Sequence, residues 1–295
     1  MSYLPKLKNL ISSLAEQNLN YDRFALWYYR RYDHNEVRPN AIARFQDAFT
    51  TAYTVMDPSI LQGEMIVGKA YRPLNADERK ELAGYIATYG KDVLKMQGSA
   101  DGFNINLDLL VNKGLEWIIY ETDKKIAAME DGDEKDMLKA NREGFCSVVR
   151  YAHKVSQYVG GVSIKEADPE QKLLKQTVSK MLWRIPQQRA KTFYEAVQSV
   201  HFTAFCLTAV PGQVDVVLNG LDVVLAPFLD ADLKSGAIDE DTACYVLGNF
   251  FAHANFSAFR DQGLKIVLLG DDSNTATRLI KKVKSDLALP EPTIC

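Results

Sequence analysis

The six-residue run Leu264 to Leu269 (LKIVLL), apolar but for Lys265, is closed by Gly270 and the turn residues Asp271 to Asn274, and reads as a β-strand in a chain otherwise patterned for helix. A strand alone leaves its backbone donors and acceptors unmatched, so it requires neighbours. Upstream the pattern offers poor ones: Glu64 to Val67 is very short, and most of the rest has helical periodicity. Either this run is not a strand, or its sheet partners lie outside the chain.

The helical pattern is explicit. Leu4, Leu7, Leu10, Ile11 and Leu14 share a stripe, and Ala41, Phe45, Ala48 and Ala52 repeat it. Leu82, Tyr85, Ile86 and Tyr89 mark a third helix. Leu107 to Ile126 and Met137 to Tyr158 read as two long helices joined at Glu130-Asp131-Gly132-Asp133. That acidic turn lacks calcium-loop spacing, because position twelve from Asp131 is Arg142, so it reads as a solvated connection. Asp168, Pro169 and Gln171 form the clearest helix start, and that helix ends at Pro186. A mostly buried helix is expected over 190–208, another over Asp215 to Leu229, and a last over Asp239 to Phe256 with Asp239 as its cap.

Composition excludes several functions. Lys+Arg 35 against Asp+Glu 38 leaves a net charge of −3, which offers no basic excess for nucleic acid. Four cysteines, none in a Cys-x-x-Cys pair, make neither a disulfide framework nor a structural zinc site. The longest strongly apolar stretch, around Phe202 to Val210, falls short of a bilayer span, and the N-terminus carries no leader pattern. The expectation is a reducing cytoplasm, with no membrane.

Individual motifs resolve into bland readings. Gly63 to Ala70 (GEMIVGKA) is one residue from a phosphate-binding loop, but Ala70 replaces the magnesium-holding hydroxyl and no strand–helix frame surrounds it. Cys146, Arg150 and His153 share a helix face, yet seven residues set the outer two about 10 Å apart along the axis, far for a nucleophile and its base. His201 and His253 read as hydrogen-bonded core histidines and His34 as surface. Tyr28, Tyr29, Arg30, Arg31 and Tyr32 read as amphipathic side chains covering a helix.

The stretch RIPQQRAKTFYEAVQSVHF, Arg184 to Phe202, resembles the segment of glycyl radical enzymes in which a proline-containing turn leads into a "(A)RTFYEALQ..WF" helix. Further parts follow in the family's order. GEMIVG (Gly63 to Gly68) resembles its Glu-x-Ile-Val-Gly element, and INLDLLVNKGLEWII (Ile105 to Ile119) its "L..GL" helix. GLDVVLAPFLDADLKSGAI (Gly220 to Ile238) resembles "GR.DQ.LYPF...DL..G.I", and LALPEPTI (Leu287 to Ile294) the "PEP" segment near the middle of those enzymes.

What the resemblance implies is a mainly α fold: the helical N-terminal portion of a glycyl-radical-enzyme α/β barrel, with few strands, residues 1–295 forming one pyruvate formate-lyase-like domain. In such enzymes a glycyl radical near the C-terminus draws hydrogen from a barrel cysteine, whose thiyl radical attacks the substrate. A radical-SAM activating enzyme installs the radical, and the mature enzyme binds no metal. Both radical-bearing elements follow the "PEP" segment. On this resemblance the chain holds no catalytic residue, cofactor or metal, and Cys295 is not the catalytic cysteine. Ala83-Gly84-Tyr85 faintly resembles the radical motif but sits mid-helix at the wrong end of the chain.

The resemblance places two residues at pocket positions. Phe103 of Gly102-Phe103 stands where many dehydratase-like members have Gly-His, and Asp222 is retained while Gly220 and Val223 replace the arginine and glutamine of "GR.DQ". Asp222 has an alternative reading as a helix-start or dimer-contact aspartate. Expected partners are a C-terminal portion or a full-length relative, a second copy in a homo-oligomer, and the activating enzyme. Two further readings stay open: a stand-alone binding or regulatory protein descended from such an enzyme, and an unrelated helical enzyme using Cys146 and His153.

Overall fold

The computed structural model describes residues 3–34, 40–96, 103–209, 216–256 and 263–295. In chain order it runs α1 (Tyr3–Gln17), α2 (Asp22–Asp33), α3 (Ala41–Val55), α4 (Ala76–Met96), β1 (Phe103–Asn104), α5 (Leu107–Lys113), α6 (Leu115–Ala128), α7 (Asp133–Ile164), α8 (Pro169–Leu182) and α9 (Phe193–Thr208). It continues with β2 (Val216–Asn219), α10 (Leu221–Ser235), α11 (Glu240–Phe256), β3 (Leu264–Val267), α12 (Thr275–Leu287) and β4 (Thr293–Ile294). The mainly helical expectation holds. Among the described residues no helix is long and apolar enough to cross a membrane; Val210, at the end of the longest apolar stretch, lies outside them.

The expectation of missing strand partners is corrected. Leu264–Val267 is a strand, and its neighbours lie within the chain. The sheet is ordered β1-β2-β3-β4 and every pair is parallel. Val216 pairs with Leu264 and Asn219 with Val267, while Lys265 faces Thr293 across the β3–β4 pair. Part of the segment expected to be a helix over Asp215 to Leu229 is strand β2, and the helix begins only at Leu221; Asp215 itself lies outside the described residues. Gly220 makes the change of direction, with φ +68°, a left-handed conformation that side-chain-bearing residues rarely adopt.

A second correction concerns Leu107 to Ile126, which is two helices broken at Gly114. Gly114 has φ +80°, and a Cβ there would stand 2.4 Å from the Gln187 carbonyl oxygen. The first N–H groups of α6 turn outward, Leu115 donating to Pro186 and Glu116 to Gln187, both at 2.9 Å. This docks the start of α6 on the turn after α8. The helix read as Met137 to Tyr158 extends to Asp133–Ile164, its first turn carrying Asp133, Glu134 and Asp136, which suit the positive end of a helix.

Local starts follow the expected chemistry. Asp168 accepts from the Glu170 and Gln171 N–H groups with Pro169 as first helical residue, and Asp239 accepts from Thr242 N at 2.8 Å. The helix expected over 190–208 starts at Phe193, where Thr192 caps the Glu195 N–H. Helix α7 packs against α3, α6 and α8, while α1 lies on α11 closely enough that a Cβ on Gly248 would meet Leu7 at 2.3 Å. Val216, Leu218, Leu264 and Ile266 join the same apolar core as α9, α11 and α12.

Candidate functional site

A parallel sheet exposes its ligand-facing loops at the C-terminal ends of its strands, and here its two faces differ sharply. Val216, Leu218, Leu264 and Ile266 are buried on one face. On the other, Val217 and Val267 are half-buried, and Asn219, Lys265, Thr293 and Cys295 are exposed. The register sets Val217, Lys265 and Thr293 side by side in one row and Asn219 beside Val267 in the next. This open face is the candidate site surface, and its outermost row lies next to the β2–α10 and β3–α12 loops.

Asp222 governs that rim. It is buried at the start of α10 and accepts from Leu269 N at 3.1 Å, Gly270 N at 2.9 Å and Thr277 Oγ1 at 2.6 Å. Burial opposes its charge, but the Thr277 hydroxyl and the Gly270 and Leu269 amides hold its carboxyl below the usual range. The structure thus places this expected site residue at the buried start of α10, joining the β2–α10 and β3–α12 connections. Beside it Leu269 (65% exposed) and Val223 (45%) stand bare. Phe103 lies on β1 opposite Val216; Gly102 lies outside the described residues.

A second polar group sits in the interior, and sequence reasoning missed it. Residues 63–69 run between α9 and α11, paired with no strand among the described residues, and helix side chains satisfy much of their backbone. From α9, Tyr194 Oη donates to Met65 O at 2.5 Å. Gln198 accepts from Val67 N at 2.7 Å and donates to Val67 O at 2.6 Å, and His201 Nε2 donates to Gly68 O at 2.6 Å. From α11, Tyr245 donates to Gly63 O at 2.7 Å and Asn249 Oδ1 accepts from Met65 N at 2.8 Å. The signal was present: Tyr194, Gln198 and His201 fall at i, i+4, i+7 in an apolar helix, and Tyr245, Asn249 and His253 at i, i+4, i+8.

Within that segment Glu64 and Lys69 form a buried ion pair, Nζ to Oε2 2.5 Å, with His253 Nε2 at 3.3 Å from Oε1. Burial alone would raise the Glu64 carboxyl, but Lys69 and His253 bring it down to about 2. Burial, reinforced by His253, pushes His201 down to about 3. Both histidines are the hydrogen-bonded core residues expected of them. Lys69 is committed to Glu64 and to Ser59 O, and no helix follows it, so the segment has no phosphate-loop geometry.

The remaining candidates do not assemble. Burial raises the Cys146 thiol, the opposite of an activated nucleophile, and His153 stacks on Trp183 at 4.6 Å. Gly84 is exposed in the middle of α4. All four cysteines are free, and no group of three or more His, Cys, Asp or Glu side chains suited to a metal occurs among the described residues.

Comparison with known proteins gives these positions a context. The family model described as pyruvate formate lyase-like matches residues 93–265. Isethionate sulfite-lyases of Nitratidesulfovibrio vulgaris and Oleidesulfovibrio alaskensis are 28% and 24% identical over 145 residues, 47% of this chain and 18% of each relative. Among solved structures, a glycyl radical enzyme from Archaeoglobus fulgidus superposes with a TM-score of 0.83 at 18% identity, over 98% of this chain and 47% of that one. The B12-independent glycerol dehydratase of Clostridium butyricum gives 0.83 at 13% identity, with the same coverages. The hydroxyproline dehydratase of Clostridioides difficile gives 0.81 at 16%, over 96% of this chain and 47% of that one. The chain therefore has the fold of about half of each of these enzymes, and its matched stretch spans under a fifth of the curated relatives' length.

Proposed function

This chain belongs to the pyruvate formate lyase-like family, and from that premise we propose that it builds one wall and the helical jacket of a glycyl radical enzyme of the lyase or dehydratase kind. The observation that carries the reading is the two-faced parallel sheet, buried on one side and open on the other, in a chain that superposes along 98% of its length on 47% of a glycyl radical enzyme. A second portion, on the same polypeptide or another, closes the open face. It supplies the radical glycine and the thiyl-forming cysteine, and a radical-SAM activating enzyme installs the radical. The cleavage breaks a C–C, C–O or C–N bond of a small substrate. In this reading Asp222 shapes the rim through Leu269 and Gly270.

The test is the intact mass of the protein from its source cells, followed by anaerobic activation and electron paramagnetic resonance. A product well above 33.1 kDa, or a tight complex with a second polypeptide, that takes up a glycyl radical supports the proposal. A 33.1 kDa product that turns over alone overturns it. So does a full-sized product that takes up no radical.

A further inference from the structure

Lys69 carries its ammonium into the interior, where its side chain is 2% exposed. A buried ammonium needs an acceptor for each of its three N–H bonds. Glu64 Oε2 at 2.5 Å and Ser59 O at 3.1 Å supply two. Among the described residues nothing accepts from the third.

A cavity of about 10 Å³ opens beside this group, lined by Asp57, Ser59, Val67, Lys69, Tyr151 and Val155 among others. That is close to the least room one water molecule occupies. A second polar group on its wall is also short of a partner. Tyr71 Oη donates to Tyr151 Oη at 3.2 Å, so the Tyr151 proton must be given elsewhere, and no described residue accepts it. Two donors therefore meet at the cavity, from the segment 63–69 and from α7, and Asp57 brings an acceptor.

The charges around the cavity select a neutral guest. Glu64 offsets Lys69, and Asp57 lies close enough to Lys154 to favour its charged form. A halide could accept from Lys69 and Tyr151 but could give nothing to Asp57, and a cation could accept from neither. A water molecule does both, with the two to four polar partners that a buried water requires.

We infer that this cavity is a structural water site, in which one water accepts from Lys69 Nζ and Tyr151 Oη and donates to Asp57. The water completes the hydrogen bonding of the buried Glu64–Lys69 pair. It also ties together three separate parts of the chain: residues 57–59 after α3, the segment 63–69, and α7. The site is independent of the radical chemistry proposed above.

The test is a crystal structure of the endogenous protein at about 2 Å resolution or better, alongside a bromide-soaked crystal and the variants Tyr151→Phe and Tyr71→Phe. In the wild type the expected result is one water oxygen about 2.7–3.2 Å from both Lys69 Nζ and Tyr151 Oη, with no anomalous bromide peak there. Tyr71→Phe should keep that water, because the lost hydroxyl donates to Tyr151 and does not line the cavity. Tyr151→Phe should lower its occupancy by about half or more. A wild-type cavity without water density overturns the inference whether or not the variants fold. So does a bromide peak in the cavity, which would make it an anion site, or a water left unchanged by Tyr151→Phe.

Discussion

Glu64 and His201 hold their protonation states against the solvent, and both states carry a pH signature. Each folded pKa lies below its ordinary value, about 2 against 4.5 for Glu64 and about 3 against 6.5 for His201. The unfolded chain therefore binds protons more readily, and stability is lost as the pH falls. His201 contributes that loss from pH 6.5 down to about 3, and Glu64 from 4.5 down to about 2. Denaturant midpoints measured against pH should therefore begin to fall near pH 6.5, and His201→Gln should flatten the upper part of the curve. Glu64→Gln removes one member of a buried ion pair and leaves the Lys69 ammonium beside an amide. Its expected effect at pH 7 is a destabilisation of about 3–5 kcal/mol, read from the same denaturation curves. A loss below about 1 kcal/mol would mean that Lys69 finds water or another partner.

Two glycines separate what an element requires from what it merely tolerates. Gly114→Ala forces a left-handed residue to carry a Cβ into the Gln187 backbone, so chemical denaturation should show a loss of at least about 2 kcal/mol. Gly84→Ala lies in α4 with no atom within 4 Å of the added Cβ, and should gain about 0.5–1 kcal/mol from helix propensity. Asp222→Ala strips the acceptor from two amides and a hydroxyl, and an expected loss of about 2–4 kcal/mol should appear as a lower melting temperature with far-ultraviolet helicity unchanged. The same contrast explains what the sequence made legible. Long amphipathic stripes such as Leu7, Leu10 and Leu14, and caps such as Asp168, are local signals, and they were read. Strand β2 was not: its four residues run straight into α10, and apolar residues on both sides of Gly220 blur into one helical pattern. The break at Gly114 was hidden because Leu110, Val111 and Leu115 keep the apolar spacing through it, and only contact with residues 186–187, distant in sequence, shows why a glycine stands there. The open face was invisible for a like reason, since it takes the register of β2, β3 and β4 to bring Asn219, Lys265 and Thr293 together. Asp222 was legible as a residue, but its three partners were not.

At the scale of the molecule, an apolar rim beside an uncovered sheet invites association. Leu269 and Val223 stand exposed at that rim, with Val217 and Val267 half-buried on the face below. The isolated chain should therefore self-associate in sedimentation experiments as its concentration rises. Leu269→Ser with Val223→Ser should move that onset to higher concentration while leaving the circular dichroism spectrum in place. Association unchanged by the pair would point to another surface, such as the exposed Trp117, Tyr120 and Trp183. The sheet's order also bears on how such a molecule is made. Its spatial order repeats the chain order, β1-β2-β3-β4. As a ribosome releases the chain from its N-terminal end, each strand can dock beside one already synthesised, and none has to be inserted between two others. Among these four strands the sheet is thus extended from one side alone, each new strand joining the edge of the one made just before it.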